Sequence, residues 1–247
     1  MEISSIPKFL INLERRPDRL EKVKKELEYI GWEYNIFKAI DTAGYMGIAL
    51  SILEVIKIAK ENKYKRVMVI EDDITFMPYA KDLISKIESS CDELEFAIFN
   101  LAPTLNRPIL VSKENNLLLD MTNLPEKFEH HRDFYGCNMV IFDESIYDEV
   151  EKIENTRLHG GGYYKAIDEF IFVEIISKFQ SYCPVLPIAP QTYDYSDVSN
   201  GMYSNFYLQT YNWNGYSPIK IPSEFMDYEN NQIIKKENTH KEFYYES

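Results

Sequence analysis

Three acids in a row, Glu71-Asp72-Asp73, follow directly on Arg66-Val67-Met68-Val69-Ile70 and precede Ile74-Thr75-Phe76. Carboxylate oxygens this close together are hard ligands suited to Mg²⁺ or Mn²⁺, and the usual substrate group for such an ion is a phosphate or diphosphate. Val67 to Ile70 are large and apolar without interruption, the pattern of a strand buried on both faces inside a parallel sheet. A buried strand does not carry unpaired ionised carboxylates in its body. The acids therefore leave it at the C-terminal end, where open α/β sheets hold their ligands. Strand alternation directs Glu71 and Asp73 to one side and Asp72 to the other. A solvated turn is the simpler account of the same residues. The helical stripe ahead of them, Ala49, Ile52, Leu53, Ile56 and Ala59 within Ile48 to Asn62, weighs against it. A helix feeding a buried strand that ends in acids is half of a nucleotide-binding βαβ unit.

Two further clusters carry chemistry. Ile11-Asn12-Leu13-Glu14-Arg15-Arg16-Pro17-Asp18-Arg19 places cations and free backbone N–H groups where a first strand breaks into a Pro-started helix. That arrangement suits a nucleotide diphosphate; arginines on an exposed helix turn are the alternative. His159-Gly160-Gly161-Gly162 precedes Asp168 and Glu169, which open a helix bearing Ile171, Phe172, Ile175 and Phe179. A carboxylate at a helix start facing a crevice is a candidate general base, and the glycines allow close backbone approach to a ligand. Acids there also complement the helix dipole.

The elements that must position these groups alternate. Pro7 to Leu13 is expected as a strand. A helix follows from Pro17 with the stripe Leu20, Val23, Leu27 and Ile30, stopped by Gly31. Strands are expected near Tyr34 to Ile40, from Arg66, at Glu95 to Leu101, Asn116 to Met121 and Gly136 to Phe142. Helices are expected at Ile48 to Asn62, Tyr79 to Ser89, Glu144 to Ile153 and Asp168 to Phe179. Such alternation specifies an α/β fold, a mainly parallel sheet flanked by helices. Residues 1–200 are expected as one domain and 201–247 as an extension rich in Tyr, Phe and Asn.

The net charge of −13 argues against nucleic-acid and anionic-membrane partners. No apolar run approaches a membrane span, and the first residues lack a signal-peptide plan. Cys91, Cys137 and Cys183 are odd in number and far apart, neither a zinc spacing nor a disulfide framework, which points to a reducing, cytoplasmic setting.

Taken together, the segments resemble glycosyltransferase family 25, the lipopolysaccharide and procollagen galactosyltransferase group. Residues 11–19 are close to that family's Asn-Leu-x-Arg-Arg-x-Asp-Arg opening. Gly47-Ile48-Ala49-Leu50-Ser51 is similar to its Gly-Cys-Ala-Leu-Ser-His. Val69-Ile70-Glu71-Asp72-Asp73 looks like its Leu-Glu-Asp-Asp metal motif. Ile167-Asp168-Glu169-Phe170-Ile171, Gln191 and Ser196-Asp197 fit its last blocks. Two positions depart from the pattern: the family's Cys is Ile48 and its His is Ile52 here. The resemblance implies a GT-A (Rossmann-like) fold using a UDP-sugar with Mn²⁺ or Mg²⁺, and inverting transfer of galactose or glucose to a hydroxyl of a glycan or protein. It implies Asp73 and Glu71 as metal ligands. Donor contacts would come from Asn12, Leu13, Arg15, Arg16, Arg19, Ala49, Ser51 and Asp72, the last nearer the ribose. Asp168 would be the base, with Glu169 as second choice.

Two other classes remain. Glu71-Asp72-Asp73-Ile74-Thr75 has the spacing of a haloacid-dehalogenase-type phosphatase, although its nucleophilic Asp would be Glu71 here. A non-catalytic nucleotide-sugar- or glycan-binding descendant of the same fold is permitted by the missing His. The aromatic run from Asn200 to Tyr216 is expected either to close over the crevice or to pack permanently outside it.

Overall fold

The computed structural model of the protein describes residues 2–42, 45–91, 93–105, 112–113, 117–122, 134–157, 166–192, 194–196, 201–203, 226–227 and 232–233. Strand β1 (Lys8–Asn12) is buried along its whole length. Helix α1 (Pro17–Ile30) starts on a proline, whose missing N–H falls where no intrahelical partner exists. It stops at Gly31, which adopts φ 82° and donates its N–H to the Leu27 and Glu28 carbonyls. Then come β2 (Asn35–Lys38), α2 (Met46–Glu61), β3 (Arg66–Glu71), α3 (Ala80–Ser90), β4 (Ile98–Asn100), β5 (Thr104–Leu105), β6 (Ser112–Lys113) and β7 (Leu118–Asp120). The remainder is β8 (Phe134–Tyr135), β9 (Met139–Asp143), α4 (Tyr147–Arg157), α5 (Ile167–Phe170), β10 (Ser181–Pro184), β11 (Asp194–Ser196), β12 (Gly201–Tyr203), β13 (Met226–Asp227) and β14 (Gln232–Ile233).

An eight-stranded sheet in the order β2-β1-β3-β9-β4-β10-β7-β6 forms the centre. It is the expected α/β, Rossmann-like sheet with flanking helices. Strands β2, β1, β3, β4, β10 and β6 run one way; β9 and β7 run the other, so the sheet is mixed. The chain leaves β1 on one side for β2 and returns to its other side as β3. Right-handed crossovers in opposite directions put α1 and α2 on opposite faces. On one face Lys81 of α3 sits 4.7 Å from the ring centroid of Tyr29 in α1; elsewhere α2 packs with α4.

Two elements differ from the sequence expectation for local reasons. The strand expected from Gly136 begins at Met139, because Gly136 holds φ 92°, outside the extended region. The helix expected through Phe179 widens after Phe170 into a π-helical turn over Ile171–Ile176, which leaves Ile171, Ile175 and Ile176 all buried. Beyond the sheet, β11 pairs antiparallel with β12, Ser196 opposite Gly201. The aromatic side chains expected as a lid, Phe206, Tyr207, Tyr211 and Trp213, lie outside the described residues, as does the triple glycine at 160–162. Among the described residues no helix is long and apolar enough to cross a membrane. The three cysteines are buried thiols.

At the opposite end of β1 from its Asn12 terminus lies Lys8, only 1% exposed. Its ammonium donates to the Ser4 and Ile6 carbonyls at 2.7 and 2.8 Å and lies 5.0 Å from the Trp32 ring centroid. Burial pulls its pKa down to about 8, with Glu88 acting weakly the other way. The unfolded chain therefore binds more protons than the folded one between about pH 8 and the ordinary lysine value of 10.5. Stability should rise with pH across that window. Urea midpoints measured at pH 8, 9 and 10 should climb in the wild type and stay flatter in Lys8→Met. An equal climb in both would assign the effect to other groups.

Candidate functional site

Because β1 lies between β2 and β3, the C-terminal ends of β1 and β3 flank the point where the chain changes direction across the sheet. That is where an open α/β sheet leaves a crevice. The register puts Ile11 beside Glu71, so the residues just beyond, Asn12 and Asp72, face each other across it. Asn12 Nδ2 donates to Asp72 Oδ2 at 2.6 Å and to the Arg16 carbonyl at 3.1 Å.

The chain turns immediately after Glu71, so alternation ends with the strand. Asp72 and Asp73 therefore do not point apart as strand geometry predicts. Both carboxylates meet one guanidinium: Arg19 Nη1 lies 2.9 Å from Asp72 Oδ1 and 3.3 Å from Asp73 Oδ2. Arg19 Nη2 donates to the Tyr195 carbonyl at 2.9 Å. Arg19 Nε is buried with no hydrogen-bond partner among the described residues. Gln191 Nε2 donates to Asp73 Oδ2 at 2.7 Å, and Asn138 Nδ2 approaches Asp73 Oδ1 at 3.5 Å. Both aspartates are buried.

The electrostatics follow from this crowding. Burial pushes the Glu71 carboxyl well above the usual carboxylate range; the charges of Asp73, Asp72 and Asp168 push it further, and Arg19 opposes them. Asp72 is raised to about 6, first by burial and then by Asp73, with Arg19 and Asn12 opposing. Burial works against the Arg19 charge, but Asp73 and Asp72 outweigh it and hold the guanidinium pKa above its ordinary value. One guanidinium thus serves several carboxyl groups whose charging is opposed by burial and by one another.

Asp168 sits in the first turn of α5, near enough for its charge to act on Glu71 and on the Cys137 thiol. Its Oδ2 accepts from the Gly136 N–H at 3.3 Å, and its Oδ1 accepts from the Glu169 N–H at 3.0 Å. The amide of buried Asn100 at the end of β4 ties down the same loop, donating to the Gly136 carbonyl at 2.8 Å. A Cβ on Gly136 would fall 3.0 Å from Asn138 Oδ1, beside the contact that Asn138 makes with Asp73.

The remaining expected donor residues take other positions. Arg16 grips the Asp18 carboxylate at 3.0 and 2.9 Å and the Tyr195 carbonyl at 3.0 Å, and lies 3.5 Å from Asp194. Lys22 holds the other Asp194 oxygen at 2.9 Å. Arg15 pairs with Asp41 at the surface. The Leu13 carbonyl accepts from the Arg16 N–H, closing the turn into α1. Ala49 is buried. Ser51 Oγ accepts from the Ile40 N–H at 2.9 Å and donates to the Gly47 carbonyl at 2.7 Å. A Cβ on Gly47 would fall 2.6 Å from the Ile40 carbonyl. Gly47 and Ser51 therefore lock the loop between β2 and α2. Asn12, Arg19, Glu71, Asp72, Asp73 and Asp168 come together; Arg15, Ala49 and Ser51 do not join them. Asn138 and Asn100 carry no spacing signal in the sequence, since each reaches the site from a different strand end; Gln191 falls in a motif block, but its contact with Asp73 is set by its place opposite Ile74.

A divalent cation would suit this corner chemically, because Glu71 and Asp73 are hard oxygen donors two residues apart at the end of β3. Among the described residues no group of three or more His, Cys, Asp or Glu is arranged to hold a metal. An ion here would therefore complete its shell from phosphate oxygens and water, a common arrangement for Mg²⁺.

No family model matches the chain. A Drosophila melanogaster protein named Glycosyltransferase 25 family member is 30% identical over 100 residues, covering 29% of this chain and 16% of that protein. The chain thus matches only a small part of that relative's length. Among solved structures, a glycosyltransferase involved in glycosylation of the major capsid of PBCV-1 aligns with a TM-score of 0.43 and 9% identity, over 68% of this chain and 74% of that one. The inositol-1-phosphate CTP transferase from T. maritima aligns at 0.37 and 15% identity, over 72% and 65%. A mannose-1-phosphate geranyltransferase from Thermus thermophilus aligns at 0.39 and 11%, over 79% and 76%.

Arg19 is the counter-charge on which the aspartates depend. Arg19→Met should destabilise the fold by ~3–5 kcal/mol, the usual consequence of leaving buried charges uncompensated. The same change should do far less harm in an Asp72→Asn, Asp73→Asn background. Urea unfolding of the four variants checks this, and equal losses in both backgrounds would show that Arg19 acts through its packing alone.

Proposed function

We propose that this protein is a metal-dependent, inverting glycosyltransferase that moves a hexose, galactose or glucose, from a UDP-sugar to a hydroxyl of a glycan or protein. The observation that carries this reading is the meeting of the Asp72 and Asp73 carboxylates on Arg19 just beyond Glu71, at the C-terminal ends of β1 and β3, with Asp168 near enough for its charge to act on Glu71. Glu71 and Asp73 would hold Mn²⁺ or Mg²⁺, which when bound supplies positive charge against the departing diphosphate. Asp72, braced by Asn12, would lie nearer the ribose. Arg19 adds a fixed cation beside the phosphates.

The acceptor oxygen attacks the anomeric carbon from the side opposite the diphosphate. As that bond forms, the Asp168 carboxylate takes the hydroxyl proton and the bond from the anomeric carbon to the diphosphate oxygen breaks, releasing UDP. The Gly136 N–H, donating to one Asp168 oxygen, keeps the carboxylate in place while its other face meets the acceptor.

Calorimetry of UDP with the protein should show binding in Mn²⁺ that weakens greatly in chelator. Asp73→Asn should abolish transfer while the thermal midpoint stays close to wild type. Undiminished UDP affinity in chelator would remove the metal from the donor site.

Asp168→Asn keeps the shape of the side chain but not its basicity, so turnover should fall ~10²–10⁴-fold with UDP-sugar affinity nearly unchanged. Glu169→Gln should be mild. The reverse ranking would move the base by one residue, and two mild variants would reduce both acids to partners of the helix dipole.

A further inference from the structure

Residues 188–192 run antiparallel to residues 73–77. The Met77 N–H donates to the Ile188 carbonyl at 2.9 Å and the Thr75 N–H to the Pro190 carbonyl at 3.0 Å. Ile74 stands opposite Gln191. The Asp73 carbonyl accepts from both the N–H and the Oγ1 of Thr192, at 2.6 and 2.9 Å. This ladder sets the register of the strap. A slip of one residue would turn Gln191 to the other face. In the observed register its amide reaches the Asp73 carboxylate at 2.7 Å.

The two oxygens of Asp73 are engaged unequally. Oδ2 accepts from Gln191 and, at 3.3 Å, from Arg19; among the described residues Oδ1 has only the 3.5 Å approach of Asn138. Arg19 Nη1 lies 3.3 Å from the same oxygen that Gln191 holds, and a guanidinium and a carboxylate favour closing into a bidentate pair. A carboxylate captured in that way has little left for another cation. Resting on the metal-dependent reading above, we propose that Gln191 is a positioning residue: it holds Asp73 Oδ2, keeps the carboxylate from closing onto Arg19, and leaves Oδ1 as the oxygen available to a divalent cation.

The consequence is a loss of metal affinity rather than of fold or of base. Partners that orient a ligating carboxylate typically change metal affinity by roughly 10–100-fold when removed. Titrating Mn²⁺ into the full chain and reading the free-ion EPR signal gives that affinity without relying on turnover. Gln191→Met should weaken Mn²⁺ binding by at least about tenfold with the thermal midpoint little changed. In a transfer assay the Mn²⁺ activation constant should rise in parallel, while kcat at saturating Mn²⁺ stays near wild type. If Gln191→Met does not fold, Gln191→Asn, one methylene shorter and unable to span the contact, gives the same readout. Wild-type Mn²⁺ affinity in a folded variant overturns the role of Gln191 and leaves the enzymatic reading standing. A wild-type protein that binds neither Mn²⁺ nor Mg²⁺ overturns the metal reading, and this proposal with it.

Discussion

Everything at this site depends on the burial of carboxyl groups gathered at the end of a strand, and after that on the repulsion among them. Glu71, Asp72, Asp73 and Asp168 all raise the charging cost of one another or of their neighbours, and Arg19 opposes them from their midst. Buried like charges are tolerated only where hydrogen bonds and a counter-charge hold them. Each aspartate accordingly has its own braces: Asn12 and Arg19 on Asp72; Gln191, Arg19 and Asn138 on Asp73. A structural ion pair would need fewer acids. The excess is what makes the cluster a cation-binding candidate.

The sheet's topology explains how so many separate segments reach that point. Since β9 runs against β3 and β4, its first residues lie at their C-terminal ends, which delivers Gly136 and Asn138 to the acids. Because β10 runs with β4, the chain that follows it emerges on the same edge and lays residues 188–192 along 73–77. One reversed strand thus contributes its start where the parallel strands contribute their ends. An entirely parallel sheet would have required another long crossover to place those backbone donors there.

Glu71 to Asp73 are legible in the sequence because four apolar residues precede them and leave the acids nowhere to go but the strand's end. Arg19 is legible as a cation near a ligand edge, though not as the partner of both aspartates. That pairing depends on the turn after Glu71, and strand alternation wrongly runs through it. Asn138 and Asn100 are invisible: each is a single amide at the end of an apolar strand, and its neighbour in space is set by strand order, which local periodicity does not encode. Ser51 shows the converse case. It belongs to a motif that suggests donor binding, yet its hydroxyl is spent on the Ile40 N–H and the Gly47 carbonyl. Residue type within a motif does not say whether a polar group faces ligand or loop.

The strap that orders the acids also engages the cations. After residue 192 the chain reaches β11, where the Tyr195 carbonyl accepts from both Arg16 and Arg19 and the Asp194 carboxylate draws in Arg16 and Lys22. Arg16 is further tied to Asp18, so its charge is largely committed to holding β11 against α1. Arg19 differs, because one of its donors, Nε, is buried without a partner among the described residues. An unsatisfied buried donor is unfavourable by about 1–3 kcal/mol, and here it belongs to the cation that touches both aspartates. Acid braces and cation braces are therefore the same piece of chain, so a shift of the strap would loosen Asp73 and free the guanidinia together. On the proposed reading, donor and cation would therefore lie against one strap, with Arg19 touching both aspartates and the Tyr195 carbonyl.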